Sequence, residues 1–257
     1  MPISLHIDVG AIARFVLTLI RVGSALFLLP LPGFKDGIGA IRIVLAVMIS
    51  ICLLPASPTV SFGGWSSGEF VVAALAESAA GLLLALAVAF IHESFQLAAE
   101  VISVQSGFSF ASIYDPTSKA DSGIFLLATQ LATGLLFFVF DIHHQLLRLL
   151  ARSFVVFNTA SSGALAHASI NVIFHLAGAM FETGLKLGLP LVVLSLLMDL
   201  SLALLGRLHG QMQLIFMAFP VKTALALAVL AAMVGRWPSL YSHVAAQFLA
   251  ALNQLLP

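Results

Sequence analysis

The stretch FVVAALAESAAGLLLALAVAFIH, residues 70–92, is apolar at nearly every position, and Glu77 is its one acidic residue. A helix needs about 20 apolar residues to cross the ~30 Å hydrocarbon layer of a membrane, and this stretch is long enough. Small residues and Glu77 recur at every fourth position, which places them on one helix face. These positions are Ala73, Glu77, Gly81, Ala85 and Ala89. Because small side chains let helix backbones approach closely, the stretch predicts a helix packed tightly against other helices.

Further apolar runs surround this stretch. They lie near residues 9–32, 38–55, 124–147, 170–205 and 213–235, and a shorter amphipathic tail begins at 240. Apolar residues make up 61% of the chain and charged residues 9%, against about 45–50% and about 25% in an ordinary soluble domain. The sequence therefore predicts an all-α, membrane-associated protein.

The run at 170–205 is too long for one span. Gly184, Gly188 and Pro190 lie within it, and a proline in a helix interior removes a hydrogen bond and clashes with the preceding turn. We expect these residues to divide the run into two helices or to kink it.

The charges of the chain balance, with 11 Lys and Arg against 11 Asp and Glu. No basic excess is present to bind nucleic acid, so we expect no nucleic-acid partner. The only cysteine, Cys52, lies in an apolar run and is interpreted as a small buried side chain.

Ionisable residues within or beside the apolar runs are the candidate polar contacts. On insertion scales, a charge at the bilayer centre costs ~2.5–3.5 kcal/mol. We therefore expect these side chains to face protein or water and to form contacts between helices or between subunits. They are Arg14, Arg21, Glu77, Asp141, His144, Arg148, Glu182, Lys186, Asp199, Arg207 and Lys222.

Motifs for catalysis and metal binding are weak. Residues 92–96, HESFQ, have Gln96 where a zinc-protease helix needs a second histidine. Asp141, His143 and His144 offer potential ligands, but positions 141 and 143 diverge around a helix, so a polar packing face is favoured over a metal site. No nucleophile motif or phosphate-binding loop occurs in a suitable context. We expect no enzymatic activity, no metal and no cofactor.

The segment GFSFASIYDPTSKADSG, residues 107–123, interrupts the apolar runs. Gly107 and Gly123 flank it, and Asp115-Pro116 favours a turn or a helix start. Four apolar residues precede the turn, namely Phe108, Phe110, Ile113 and Tyr114. Irregular backbone at membrane depth occurs only where protein or a water-filled cavity surrounds it. The segment is interpreted either as a loop that enters a lumen or as an ordinary surface loop.

The region from Gly107 to Phe154 resembles the FliR family of flagellar type III export-gate proteins. It contains the glycine-rich start, Asp115-Pro116, the pair His143-His144 and then Ser153-Phe154. The opening helix of the family is similar to the stretch RFVLTLIRVGSALFLLPLPG. The C-terminal signature of the family is similar to the stretch GLKLGLPLVVLSLLMDLSLALLGRLHGQMQLIFMAFPVK. Gly210 departs from that pattern, because relatives often carry proline there.

This resemblance implies a helical subunit that joins FliP and FliQ in a gate for unfolded export substrates, with FlhB and FlhA nearby. It implies a FliP-like helical part over residues 1–165, and a FliQ-like helical hairpin with a C-terminal tail over 166–257. The segment 107–123 would be a plug that closes the pore, formed by Gly107, Phe108, Phe110, Ile113, Tyr114, Asp115, Pro116 and Gly123. The location implied is the bacterial inner membrane at the flagellar basal body.

Two alternatives remain open from the sequence. One is a secondary transporter for a small solute, with helices broken near Pro190. The other is a paralogue from a virulence type III secretion system, since the two branches share their mechanism.

Overall fold

A computed structural model of the chain describes residues 9–29, 39–58, 66–107, 124–156, 162–208 and 214–255. These residues form eight α-helices and one short 3₁₀ helix, and no strand occurs among them. The α-helices are α1 (Val9–Leu28), α2 (Gly39–Leu53), α3 (Ser67–Gln105), α4 (Ile124–Val139), α5 (Ile142–Val156), α6 (Ser162–Leu208), α7 (Leu214–Val234) and α8 (Trp237–Leu255). The 3₁₀ helix, Leu54–Ala56, follows α2 directly. The prediction of an all-α fold is confirmed. The expectation that Cys52 is buried is wrong, because it lies on an exposed face of α2.

The apolar runs correspond to helices, with two differences. The run at 124–147 is interrupted at Phe140 and Asp141, which separate α4 from α5. The run at 170–205 lies within a single helix, α6, which contains Pro190. The first alternative, a division into two helices, is wrong, because the loss of one backbone donor at a proline leaves the hydrogen bonds on either side in place. A kink near Pro190 stays a prediction.

Four helical stretches are long and apolar enough to cross a membrane. They are Gly10–Leu28, Gly39–Ala56, Ser67–Gln105 and Ile170–Arg207. Two helix pairs, α4 with α5 and α7 with α8, also pass when each pair is taken together, which brings the number within the described residues to as many as six. The chain is therefore a helical membrane protein.

Contacts divide the chain into two compact units that share several helices. One unit comprises residues 1–89, 141–176 and 247–257, and the other comprises 90–140 and 177–246. One boundary, at 140/141, falls between α4 and α5, and the other three fall inside α3, α6 and α8. The sequence-based boundary at 165/166 likewise lies inside α6, and the division into FliP-like and FliQ-like parts stays a prediction.

The core of the first unit is built from α1, the first half of α3, α5 and the end of α8. Val22 on α1, Leu84 on α3 and Leu252 on α8 are completely inaccessible to solvent, and Leu150 on α5 is 2% exposed. Lipid is as apolar as these side chains, so close van der Waals packing between the helices is the main stabilising contribution of such a core in a membrane.

The core of the second unit lies where the second half of α3 meets α4, α6 and α7. Ile102, Phe125, Leu191 and Ala226 form one buried cluster, one residue from each of these helices. The aromatic ring of Phe95 on α3 also packs against α8, with its centroid 5.4 Å from that of Tyr241. The C-terminal end of α3, from which the segment 107–123 starts, therefore lies in a packed environment.

Candidate functional site

A buried ion pair links α1 to α3 in the first unit. The Nε of Arg21 donates to Oε2 of Glu77, and the two side chains are 2% and 8% exposed. Nη1 of Arg21 donates to Oγ of Ser153 on α5 at 3.1 Å, and the guanidinium carbon lies 4.3 Å from the ring centroid of Phe154. Hydrogen bonds and a cation–π contact thus surround the charge of Arg21, as a buried charge requires.

Gly81 allows α1 and α3 to approach closely enough for this pair. A Cβ atom at Gly81 would lie 2.1 Å from Oγ of Ser24 and 2.2 Å from the carbonyl oxygen of Arg21. Gly81 stands one helical turn after Glu77, on the same face of α3. The backbone of Arg21 therefore lies against Gly81 while its side chain reaches Glu77.

The second unit uses glycines in the same way. A Cβ at Gly184 on α6 would lie 2.8 Å from both Cδ2 of Leu97 and the carbonyl oxygen of Ser94 on α3. At Gly188 the nearest atom would be Cγ1 of Val101, at 3.1 Å. The small-residue spacing in the sequence thus marks faces at which helices touch.

Arg14 binds the end of the helical segment formed by α2 and Leu54–Ala56. Its Nε donates to Oγ of Ser57 at 2.8 Å, and its Nη2 donates to the carbonyl oxygens of Leu54 and Ser57. The last carbonyls of a helix have no partner within the helix, and cations are favourable at that end. Arg14 therefore ties α1 to the C-terminal end of its neighbour.

Polar contacts also hold the C-terminal end of α3, where the segment 107–123 begins. The hydroxyl of Ser195 on α6 donates to Oε1 of Gln105 at 3.1 Å, and the hydroxyl of Thr223 on α7 donates to the carbonyl of Ser106 at 3.4 Å. Gly107 has φ 81°. This is the left-handed conformation that commonly ends a helix and that glycine adopts without strain.

The remaining residues of the predicted plug lie outside the described residues. They are Phe108, Phe110, Ile113, Tyr114, Asp115, Pro116 and Gly123. Gly107, at the end of α3, and Ile124, at the start of α4, are the described positions on either side of them.

Asp199 and Lys222 form an ion pair between α6 and α7. Nζ of Lys222 lies 2.6 Å from Oδ1 and 2.8 Å from Oδ2 of Asp199. Glu182 and Lys186 also pair, but both lie on the exposed side of α6, so their contact stays within one helix. The other two basic candidates, Arg148 and Arg207, are exposed.

His92 is buried in the second unit and has partners at both ring nitrogens. Oγ1 of Thr133 lies 2.8 Å from its Nδ1, and Nε2 of Gln96 lies 3.3 Å from its Nε2. The rejected zinc-protease motif is thus a pair of polar side chains one turn apart that joins α3 to α4.

The sequence profile described as "Bacterial export proteins, family 1" matches residues 12–248. The chain belongs to this export-protein family. The match covers all eight helices of the described residues in whole or in part.

Several curated relatives of this export-family chain are flagellar biosynthetic proteins FliR. The protein of Escherichia coli (strain K12) is 26% identical over 215 residues, which cover 84% of this chain and 82% of that protein. The protein of Pectobacterium carotovorum subsp. carotovorum is 25% identical over 217 residues, with the same coverage. The protein of Borreliella burgdorferi is 32% identical over 171 residues, covering 63% and 61%. The resemblance expected from the sequence motifs is confirmed.

Some contacts in this export-family member could not be predicted from the sequence. Ser153 and Phe154 were recognised as family motif residues, but not as the groups that surround Arg21. Ser57, which binds Arg14, was not singled out either. For Ser153 and Phe154 the one available signal was a serine or an aromatic residue inside a helix, and that signal does not say which distant arginine is the partner.

Proposed function

We propose that the chain is a subunit of the flagellar type III protein-export gate. In this proposal it forms with FliP and FliQ a channel for unfolded flagellar proteins, in the bacterial inner membrane at the flagellar basal body, with FlhB and FlhA as neighbours. The observation that carries the proposal is the export-family match over residues 12–248, together with the FliR relatives. The subunit transports protein, and the proposal requires no enzymatic step and no cofactor.

The uncovered apolar helices support a place within an assembly or a membrane. In the apolar 18-residue stretch of Gly39–Ala56, only 11% is buried within the chain. In the corresponding stretch of Ile170–Arg207, only 17% is buried. Side chains such as Ile43, Met48 and Phe174 are more than half exposed. Large apolar surfaces of this kind mark contacts with lipid or protein partners.

We propose that residues 166–257 form the FliQ-like hairpin and its C-terminal tail, with α6 and α7 as the two helices of the hairpin. The ion pair between Lys222 and Asp199 links these two helices, and the cluster around Leu191 and Ala226 packs them together. Glu182 and Lys186 remain exposed on α6 and are proposed to contact a neighbouring subunit.

The segment 107–123 is proposed to close the pore. It leaves α3 at Gly107, beside backbone and side-chain contacts from Ser195 and Thr223 that hold the end of this helix. From this anchored start, Phe108, Phe110, Ile113 and Tyr114 would form a hydrophobic constriction that excludes water and ions.

Replacing residues 108–114 with glycine and serine should increase ion leakage through the assembled gate. The physical reason is the loss of the apolar side chains that exclude water from the pore. Leakage is measured as dye or ion flux in liposomes that contain the purified complex. A matched variant with glycine and serine at 117–119 keeps the apolar residues and should leak as little as wild type. An assembled 108–114 variant that leaks no more than wild type would contradict the plug.

Co-purification tests the proposed function itself. The tagged chain is expressed alone, with FliP, with FliQ and with both, and each sample is purified in mild detergent. A stable complex that contains all three proteins and forms only when both partners are present is the expected result. A chain that is monodisperse alone and retains neither partner would contradict the gate, and uptake of a small solute by that purified chain would favour a transporter.

A further inference from the structure

Asp141, His143 and His144 converge at the start of α5. Oδ1 of Asp141 lies 3.0 Å from Nδ1 of His144 and 3.9 Å from Nε2 of His143. One ligand atom from each of the three residues lies within 4.8 Å of the others. The expectation that positions 141 and 143 diverge around a helix is wrong, because Asp141 is not helical.

The backbone of Asp141 explains the convergence. Its φ is 54°, the left-handed conformation, and it is the one non-glycine residue with positive φ among the described residues. The first helical hydrogen bond of α5 already runs from the N–H of Gln145 to the carbonyl of Asp141, at 3.1 Å. Asp141 thus precedes the helix, and its carboxylate lies beside the two imidazoles of the first turn. Strained backbone of this kind is concentrated at functional sites.

The three groups form a donor set that suits a transition metal. Two imidazoles and a carboxylate bind Zn²⁺ and its neighbours in the first transition row. Metal–ligand distances of about 2.0–2.2 Å let donors that are 3–4 Å apart share one ion. The side chains of His143, His144 and Asp141 are 30%, 60% and 68% exposed, so an ion has access and the rings have room to adjust.

We propose that Asp141, His143 and His144 bind a divalent transition-metal ion of the zinc class. The three side chains occupy three coordination positions, and the remaining positions lie on their exposed side, where water or a donor from another protein completes the shell. The site is independent of the proposed role in export, since it uses only residues at the start of α5.

Zinc binding by the purified full chain tests the proposal. The chain carries an affinity tag without histidine and is titrated in detergent with Zn²⁺ alone, followed by calorimetry and by metal analysis after dialysis. We expect one tightly bound ion that is absent from H143Q/H144Q. Changing a group outside the first coordination shell already weakens metal binding by ~10–100-fold, so losing two ligands should weaken it by more than about 100-fold. His175→Gln is the matched control, since His175 is exposed on α6, and it should bind zinc like wild type.

Asp141 provides a second variant that keeps the backbone. Glycine adopts positive φ without strain, so Asp141→Gly should fold like wild type, as judged by size-exclusion chromatography and circular dichroism. We nevertheless expect this variant to bind zinc at least tenfold more weakly than wild type. Co²⁺ in place of Zn²⁺ should give wild type a visible absorption band that H143Q/H144Q lacks and that Asp141→Gly shows only at higher Co²⁺ concentration. Equal zinc affinity of wild type and H143Q/H144Q, or equal losses in H143Q/H144Q and His175→Gln, would overturn the site.

Discussion

Glu77→Gln should destabilise the folded chain by about 3–5 kcal/mol, because it leaves the charge of Arg21 buried without a counter-charge. Both side chains are almost completely inaccessible to solvent, so water cannot replace the lost carboxylate. Glutamine has nearly the same size as glutamate, so the change removes charge with little change in packing. Unfolding by denaturant in mixed micelles, followed by circular dichroism, measures the loss.

Two further variants separate the buried charge from other causes. The double variant R21M/E77L replaces the pair with apolar side chains and should recover much of the lost stability, because neither charge then remains buried. Glu182→Gln removes an exposed partner of a pair on α6 and should leave the unfolding midpoint unchanged. Equal destabilisation by Glu77→Gln and Glu182→Gln would show that burial of the ion pair is not the cause.

Gly81→Ala should destabilise the chain by at least about 1–3 kcal/mol, the usual cost of overpacking. The new Cβ would lie 2.1 Å from Oγ of Ser24 and 2.2 Å from the carbonyl oxygen of Arg21. The serine hydroxyl can rotate away, but the carbonyl belongs to the backbone of α1. The two helices must therefore separate, and the same unfolding titration detects the change.

Gly178→Ala is the matched control, and we expect it to have the opposite effect on stability. Nothing lies within 4 Å of a Cβ built at Gly178, which is inside α6. Alanine should therefore stabilise the helix by up to about 1 kcal/mol through its higher helix propensity. If Gly81→Ala and Gly178→Ala shift stability in the same direction, the close approach of α1 and α3 is not what glycine provides at position 81.

The two destabilising changes should also be coupled. Separation of α1 from α3 by Gly81→Ala moves Arg21 away from Glu77, so part of the ion pair is already lost in that variant. The double variant E77Q/G81A should then cost less than the sum of the two single changes. If the double variant costs as much as the sum of the two single changes, the two effects are independent and the coupling is absent.

The α-helices and their contact faces could be predicted from the sequence, since they follow from local patterns. Apolar runs long enough to span a membrane predicted the all-α fold. Four-residue spacing of small side chains predicted the face of α3 on which Gly81 lies, and Gly184 and Gly188 on α6 have the same spacing. The motifs around His143-His144 and the C-terminal region predicted the export family. Each of these signals is contained in a short stretch of the chain.

Only the tertiary structure decided which helices those faces meet and which charges pair. Arg21 and Glu77 are 56 positions apart, and Ser153 is 132 positions from Arg21. Any acidic residue in an apolar run was a possible partner for Arg21 from the sequence. The packing of α1 against α3 at Gly81 selects Glu77, because that residue stands one turn away on the same face.

The conformation of Asp141 also required the three-dimensional structure. Apolar residues continue from α4 into α5, so the sequence predicted one uninterrupted run there. The break at Phe140 and Asp141, with its positive φ, brings together three side chains that a continuous helix would keep apart. Local patterns determined the helices of this protein, whereas helix packing and one backbone dihedral angle determined where its charged groups and the imidazoles of His143 and His144 meet. A residue's own sequence neighbourhood carries no information about partners from distant helices, and for this reason the packing could not be predicted.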